Sequence, residues 1–483
     1  MARTFRMERW RRNILADRNT GVASVAWVIG VMVLGTVSCV ASTQAHAELV
    51  FEPSSQELAF PGAALQALAA GDVDHDGKVD LVVADGDGDM VGVFFGNGDG
   101  TFLEPASSYE LTDFAGLRAL ELADVNRDGN LDLVVVSEVS NAVLVMLNQG
   151  AGVFGRERDF PVGGGPVAVA VEDWNRDGAL DLAVANGLDD NVTILLGDGT
   201  GNFNPTATPV PVGSGPVALT SADLDGDGIL DLVATSATSG ELSVGSLFLL
   251  RGLGTGQFAF ARELQGEYID TPVASLVADF DGDGDVDIAV VNQDLDDVAV
   301  RRNAGGFAFE LVGNFPVASQ LNGGVLGDFD RDGHTDIACT GEFEDKVGII
   351  RGQGDGSFGA PTLFDVGPAP AAIVVADFDR DGWLDIAATS QDAETISVLL
   401  NRTGGAPPPT PTPTPTPQVP SCSGDCNGDG SVTIDELVRM VNIALGLRPV
   451  TECLAGDENG DGSITIDEII KAVNRALGGC PNR

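Results

Sequence analysis

Histidine is nearly absent from this chain. Three occur in 483 residues: His46 in an N-terminal export-type segment, and His75 and His334 inside Asp-rich loops. General-base chemistry that relies on histidine is therefore not expected. Positive charge is scarce too. Against 72 Asp and Glu stand 26 Lys and Arg, a net charge of -46. So acidic a chain repels nucleic-acid phosphates and anionic membrane surfaces, which argues against both as partners. The acids do not imply disorder, because 43% of the residues are hydrophobic and the carboxylates recur in periodic loops. Tyrosine and tryptophan number two and four against 63 glycines, a balance that fits short strands joined by tight turns.

What the chain has instead is one loop, repeated. Its first copy reads Asp72-Val-Asp74-His75-Asp76-Gly77-Lys78-Val79-Asp80 and runs into the apolar stretch Leu81 to Ala84. Oxygen-bearing side chains at positions 1, 3, 5 and 9, a carbonyl at 7 and a glycine at 6 for the sharp turn make a chelating loop for a hard cation. The pattern returns at Asp124, Asn126, Asp128 and Asp132, and at Asp173, Asn175, Asp177 and Asp181. It follows again at Asp223, Asp225, Asp227 and Asp231, and at Asp279, Asp281, Asp283 and Asp287. The last two copies hold Asp328, Asp330, Asp332 and Asp336, then Asp377, Asp379, Asp381 and Asp385. One copy alone reads equally well as an Asp-Gly turn between strands. Seven do not, since a turn has no need of an acid or amide at four fixed positions. All these residues are expected to bind calcium, less tightly in the second and third loops, where Asn replaces one carboxylate.

The loops start roughly 50 residues apart, the period of a solenoid or propeller. The third repeat shows the unit. Pro166 to Trp174 enters the loop, Asp181 to Asn186 leaves it, Asn191 to Leu196 forms a third strand, and a Gly-rich turn leads to a fourth. Four short strands per repeat, whose sheets cannot bury their faces alone, describe an all-β seven-bladed propeller over residues 48–405. A parallel β-helix has far shorter rungs. Phe51-Glu-Pro-Ser-Ser-Gln-Glu-Leu58 resembles Phe102-Leu-Glu-Pro-Ala-Ser-Ser-Tyr-Glu-Leu111, and the last repeat stops near Asn401, where such a strand is missing. Residues 48–60 are therefore expected to supply the outer strand of the last blade and close the ring.

The segments "DFDGDGDVDIAV", "DLDGDGILDLVA" and "FFGNGDGTF" resemble FG-GAP/VCBS repeats, the blades of integrin-alpha-like propellers. The resemblance covers nearly all of 48–405. It implies calcium in the loops of one face and partner binding through the loops of the other. That other face would carry Asn186 to Asp190, Asn292 to Asp297 and Glu342 to Lys346.

The ends of the chain read differently. Residues 1–47 have the layout of a secretory signal peptide: six Arg in the first twenty residues, the apolar run 21–40, and Ala45-His46-Ala47 as the cleavage site. An uncleaved membrane anchor is the competing reading, because about 18 apolar residues can span a bilayer. Arg11-Arg12 faintly resembles a twin-arginine signal, and Cys39 sits in a poor lipid-attachment context. After cleavage no membrane span is expected. Residues 406–420, rich in Pro and Thr, form an extended linker.

Residues 421–483 carry two loops of another type. The first holds Asp425, Asn427, Asp429, Ser431, Thr433 and Glu436, and the second Asp457, Asn459, Asp461, Ser463, Thr465 and Glu468. These fill ligand positions 1, 3, 5, 7, 9 and 12 with glycine at 6, and an amphipathic helix follows each loop. The duplicated loop-helix unit resembles a dockerin and, more generally, a paired EF-hand module. That resemblance implies calcium binding and a cohesin-like or cell-surface partner. Glu stands at position 12 where dockerins usually place Asp, and Ile434-Asp435 and Ile466-Asp467 are not their commonest contact pairs. Cys422, Cys426, Cys453 and Cys480 predict two disulfides in any of three connectivities; a zinc site is the alternative, with no histidine near. Cys339, on an apolar strand, reads as an inert core thiol.

These readings converge on a secreted calcium-binding propeller that acts as a binding or adhesion module, not an enzyme, with glycan or protein on the face opposite its calcium loops. The alternative is an extracellular polysaccharide-degrading lyase or hydrolase of a cellulosome-like assembly. Against it, no carboxylate pair stands in a suggestive setting outside a metal loop, and no Ser/His/Asp or Cys/His arrangement is available.

Overall fold

The computed structural model describes residues 48–60, 64–86, 88–103, 107–111, 114–239, 244–266 and 269–404, together with part of the tail, mainly 432–444 and 469–473. The expected signal segment and the Pro/Thr linker lie outside the described residues. From Phe51 to Asn401 the chain forms seven antiparallel sheets whose strands follow one another in sequence, each sheet a blade. The innermost strands are Leu65–Gly71, Leu117–Ala123, Pro166–Glu172, Pro216–Ala222, Pro272–Ala278, Leu321–Gly327 and Pro370–Ala376. Each touches the next, and the seventh touches the first, so the ring is complete.

The second strand of every blade is buried on both faces, which is why it reads as an apolar run rather than an alternation. In Asp80–Asp85, Leu81 and Val83 face the cluster shared with blade seven, while Val82 and Ala84 face the cluster shared with blade two. Seven such clusters, one between each pair of neighbouring blades, make up the core of the ring.

The N-terminal strand closes the ring as its sequence predicts. Phe51–Pro53 pairs antiparallel with Thr395–Asn401, Phe51 opposite Asn401, and Leu58–Ala59 joins the same strand with Leu58 opposite Ile396. Two details differ from a regular repeat. The outer strand of blade three is broken into Phe203–Pro205 and Val210–Pro211, because Pro205, Pro209 and Pro211 have no N–H to give to the ladder. In blade four the second and third strands, Asp231–Ser239 and Val244–Gly252, form a longer hairpin, which lengthens that repeat.

In the tail, helix α1 (Ile434–Ala444) turns Met440 and Ile443 onto Val432, Cys453, Ile464 and Ala472. A disulfide joins Cys426 to Cys453, one of the pairings left open by sequence; Cys422 and Cys480 lie outside the described residues. Among the described residues no helix is long and apolar enough to cross a membrane.

Candidate metal centres and the opposite face

All seven Asp-rich loops join the innermost strand of a blade to its second strand, so they share one end of the ring. Glycine at position 6 adopts φ between 80° and 95° in every loop, a conformation that only glycine enters without strain. Position 4 is also left-handed, with φ of 57° to 62° at His75, Arg127, Arg176, Arg331 and Arg380 and glycine in the other two loops.

The carboxylates hold this turn in place. Position 1 accepts the N–H of the position 6 glycine on Oδ2 at 2.8–3.0 Å in all seven loops, from Gly77 to Asp72 through Gly382 to Asp377. Position 5 accepts the N–H of position 7, as in Lys78 to Asp76 and Trp383 to Asp381. In five loops three carboxylate oxygens come within 4.8 Å of one another: Asp72/Asp74/Asp80, Asp223/Asp225/Asp231, Asp279/Asp281/Asp287, Asp328/Asp330/Asp332 and Asp377/Asp379/Asp385. Loops two and three form no such triad of acids among the described residues, since Asn126 and Asn175 occupy position 3. Oxygen-only donors converging on a glycine-sharpened turn fit calcium. When bound, the ion supplies the positive charge these acids lack.

Position 9 does more than face a cation. Asp80, Asp132, Asp181, Asp231, Asp287, Asp336 and Asp385 are fully buried. Oδ1 of each accepts a backbone N–H from the end of the third strand at 2.7–2.9 Å, for example from Gly96, Asn148 and Asn401. Oδ2 accepts an N–H from the loop itself: position 2 in six loops, and Asn175 in loop three. Burial pushes these carboxyls up, to about 6 at Asp80, Asp132, Asp181 and Asp231 and to about 7 at Asp336 and Asp385. Asp287 moves the same way.

Position 2, which carries no ligand, couples six of the seven loops to the next blade by hydrogen bonds, and Val125 of loop two packs in the cluster shared with blade three. The position 2 carbonyl accepts N–H groups from the next blade's Gly-rich turn: Gly152 on Val73, Gly256 on Trp174, Gly356 on Phe280 and Gly100 on Phe378. Asn303 and Asn401 reach Leu224 and Phe329 with their side-chain amides. The phenylalanine that follows the turn packs on the same residue, as in Phe102 on Phe378, Phe358 on Phe280 and Phe258 on Trp174. Sequence reading missed this role; its signal was an apolar residue at position 2 of every loop.

Basic side chains from the third strand or just beyond it also reach the cages. Arg251 lies 2.9 Å from Asp225 and 2.6 Å from Asp227, and Arg351 lies 3.5 Å from Asp330. Arg402 donates to Asp379 at 2.5 Å and Asp381 at 3.1 Å, with all three side chains largely buried. Loop five has no ion pair among the described residues.

In the tail, Glu436 is buried and accepts the Thr433 N–H at 2.7 Å and the Thr433 hydroxyl at 2.8 Å. That is the capping-box arrangement at the start of α1. Of the other proposed tail ligands, Thr465 is described, with its carbonyl accepting the Ile469 N–H. Asp425, Asn427, Asp429, Ser431, Asp457, Asn459, Asp461, Ser463 and Glu468 lie outside the described residues.

The other end of the ring carries the turns between second and third strands. Asn186 to Asp190, Asn292 to Asp297 and Glu342 to Lys346 stand there, with exposed Leu188 and Phe343 at two tips. Cys339 is fully buried, and burial pushes its thiol up to about 12.

The family described as FG-GAP-like repeat matches residues 72–135, 124–184, 173–234, 279–339 and 328–388. No curated protein matches the chain. Among solved structures, the chain resembles BBS1N crystallised in complex with ARL6DN, at 14% identity and a TM-score of 0.51, over 74% of this chain and 98% of that one. A lectin of Agrocybe aegerita that recognises non-reducing terminal N-acetylglucosamine gives 19% identity and a TM-score of 0.45, over 68% and 86%. A catalytically inactive virginiamycin B lyase from Staphylococcus aureus gives 14% and 0.47, over 73% and 99%. At these identities the first likeness speaks to fold alone, and the other two carry no argument.

Proposed function

Because the chain belongs to the FG-GAP-like repeat family, we propose that it is a secreted binding or adhesion protein whose propeller is stabilised by calcium. One observation carries this reading. The residue at position 2 of each Asp-rich loop bonds to or packs on the neighbouring blade, so whatever fixes the loop also fixes the joint between blades. Calcium in the loops then acts as a set of staples around the ring and offsets part of the mutual repulsion in a chain of net charge -46. The role is structural. No reaction is assigned to the cages.

The tail is a second calcium module of the dockerin or paired EF-hand kind, which docks the protein to a cohesin-like or cell-surface partner. Support comes from the duplicated loops and from a small core that pairs equivalent positions of the two copies: Val432 with Ile464, Leu437 with Ile469 and Met440 with Ala472. The propeller face opposite the metal loops remains for a glycan or protein ligand.

Calcium titration of the mature protein, with melting followed in calcium and in chelator, tests the reading. Several ions per chain and a clear fall in melting temperature on chelation are expected. A melting curve indifferent to chelation would rule the reading out.

A further inference from the structure

At the end of the ring opposite the metal loops, a bowl of about 500 Å³ opens on the axis. Its lining comes from the innermost strands and turns of blades one, two, five, six and seven. The volume lies within the roughly 300–1,000 Å³ typical of small-ligand sites. The floor is made of small or aliphatic groups, among them Ala67, Ala119, Leu120 and Ile373. The rim is polar. Gln66 and Gln391 make no side-chain hydrogen bond among the described residues, so two complete amides, each donor and acceptor, face the bowl unused. Glu342 is held by Asn322, whose amide donates to it at 3.0 Å and to the Pro370 carbonyl at 3.2 Å. Gln293 in turn donates to Asn322 at 2.8 Å. Arg118 spends its Nε on Glu138 at 2.5 Å, which leaves the outer guanidinium nitrogens for a ligand.

We infer that this bowl binds a neutral saccharide. The inference rests on the proposed binding role and names where the ligand sits and what it is. The lining holds one arginine, already paired with Glu138, and one carboxylate, Glu342, so it offers no surplus positive charge to phosphate or a sugar acid. The small apolar floor, ringed by polar side chains, is too short for a lipid chain. Free amides, one carboxylate and a guanidinium edge match adjacent hydroxyls that donate and accept together, and the methyl-lined floor matches the C–H face of a sugar ring.

The test is an array of neutral and sialylated oligosaccharides probed with the calcium-loaded full chain. The strongest neutral binder is then titrated against wild type and the Gln66→Ala/Gln391→Ala double variant. Neutral glycans should bind, and the double variant should weaken the best of them by at least about tenfold, one lost hydrogen-bonding group's worth. Melting temperature and calcium stoichiometry should not change. If the double variant disturbs the fold, Gln391→Glu alone, on a turn, carries the same comparison. Absence of neutral-glycan binding, binding only to sialylated glycans, or neutral binding untouched by the variants would overturn the inference. Such a failure with calcium stabilisation intact would leave the parent reading standing, whereas loss of calcium stabilisation would remove that reading itself.

Discussion

At the scale of single residues, the four acidic positions of each loop separate into different jobs. Positions 1, 3 and 5 line the cage, while position 9, which joins the carboxylate cluster in four loops, is also a fully buried clasp between the loop and the third strand. Asp336→Ala would leave two buried N–H groups without an acceptor, at roughly 1–3 kcal/mol each. It should therefore lower the melting temperature in calcium and in chelator alike. Asp281→Ala, at position 3 of loop five, should lower it chiefly in calcium; equal losses for both variants in both conditions would refute the division. The clasp also sets a pH dependence. Six of its carboxyls, all but Asp287, are pushed up to about 6 or 7 in the folded protein against an ordinary 3.8, so their contribution to stability is complete below about 4 and lost as pH rises through 6 to 7. Without calcium, melting temperature should fall between about pH 4 and 7 and level off above that. Calcium affinity should run the other way and weaken below about pH 6, because the ion needs ionised ligands. Spacing alone made the clustering of the acids legible. It did not reveal the clasp, because Gly352, the partner of Asp336, lies across a strand pairing that only the folded sheet brings close.

At the scale of elements, the strands were legible because burial on both faces writes an apolar run after every loop. Their irregularities were not all legible: the break at Pro205 to Pro211 carries a visible proline signal, but the longer hairpin of blade four shows only as a wider repeat. Arg402 could not have been read at all. It follows the last strand of the ring, its N–H donates to the Val50 carbonyl at 2.6 Å, and its guanidinium joins Asp379 and Asp381. One side chain thus ties the entering strand, the leaving strand and the seventh cage. Loop five has no such cation among the described residues, so on the proposed reading calcium would have to supply the same neutralisation. Arg402→Gln should cost roughly 3 kcal/mol in chelator, the scale of breaking a buried ion pair. In calcium, which supplies the missing charge, the cost should be smaller. Urea unfolding in both conditions measures it, and equal costs would show that Arg402 does not substitute for the ion.

At the scale of the whole ring, closure depends on thirteen residues far from their partners in sequence. Residues 48–60 provide both short strands that cover Thr395–Asn401 and bring Phe51 against Phe329 and Phe364. Their resemblance to the strand from Phe102 to Leu111 made the closure readable, whereas the bonds from each loop to the next blade were not, since they join residues more than forty positions apart. Removing 48–60 would bare the edge of Thr395–Asn401 and uncover the cluster around Phe329 and Leu399. An unpaired strand edge beside an apolar face is a template for association between chains. The truncated protein should therefore form oligomers in calcium, seen by light scattering, and should lose cooperative melting first between blades six, seven and one. The intact protein in chelator presents a different failure: its blades stay covered while its charges repel, so added salt should raise its melting temperature by screening. Salt should do little for the truncated chain, whose defect is an exposed edge. If salt restored both equally, repulsion alone would account for the loss, and the N-terminal strand would not be the closure of the ring.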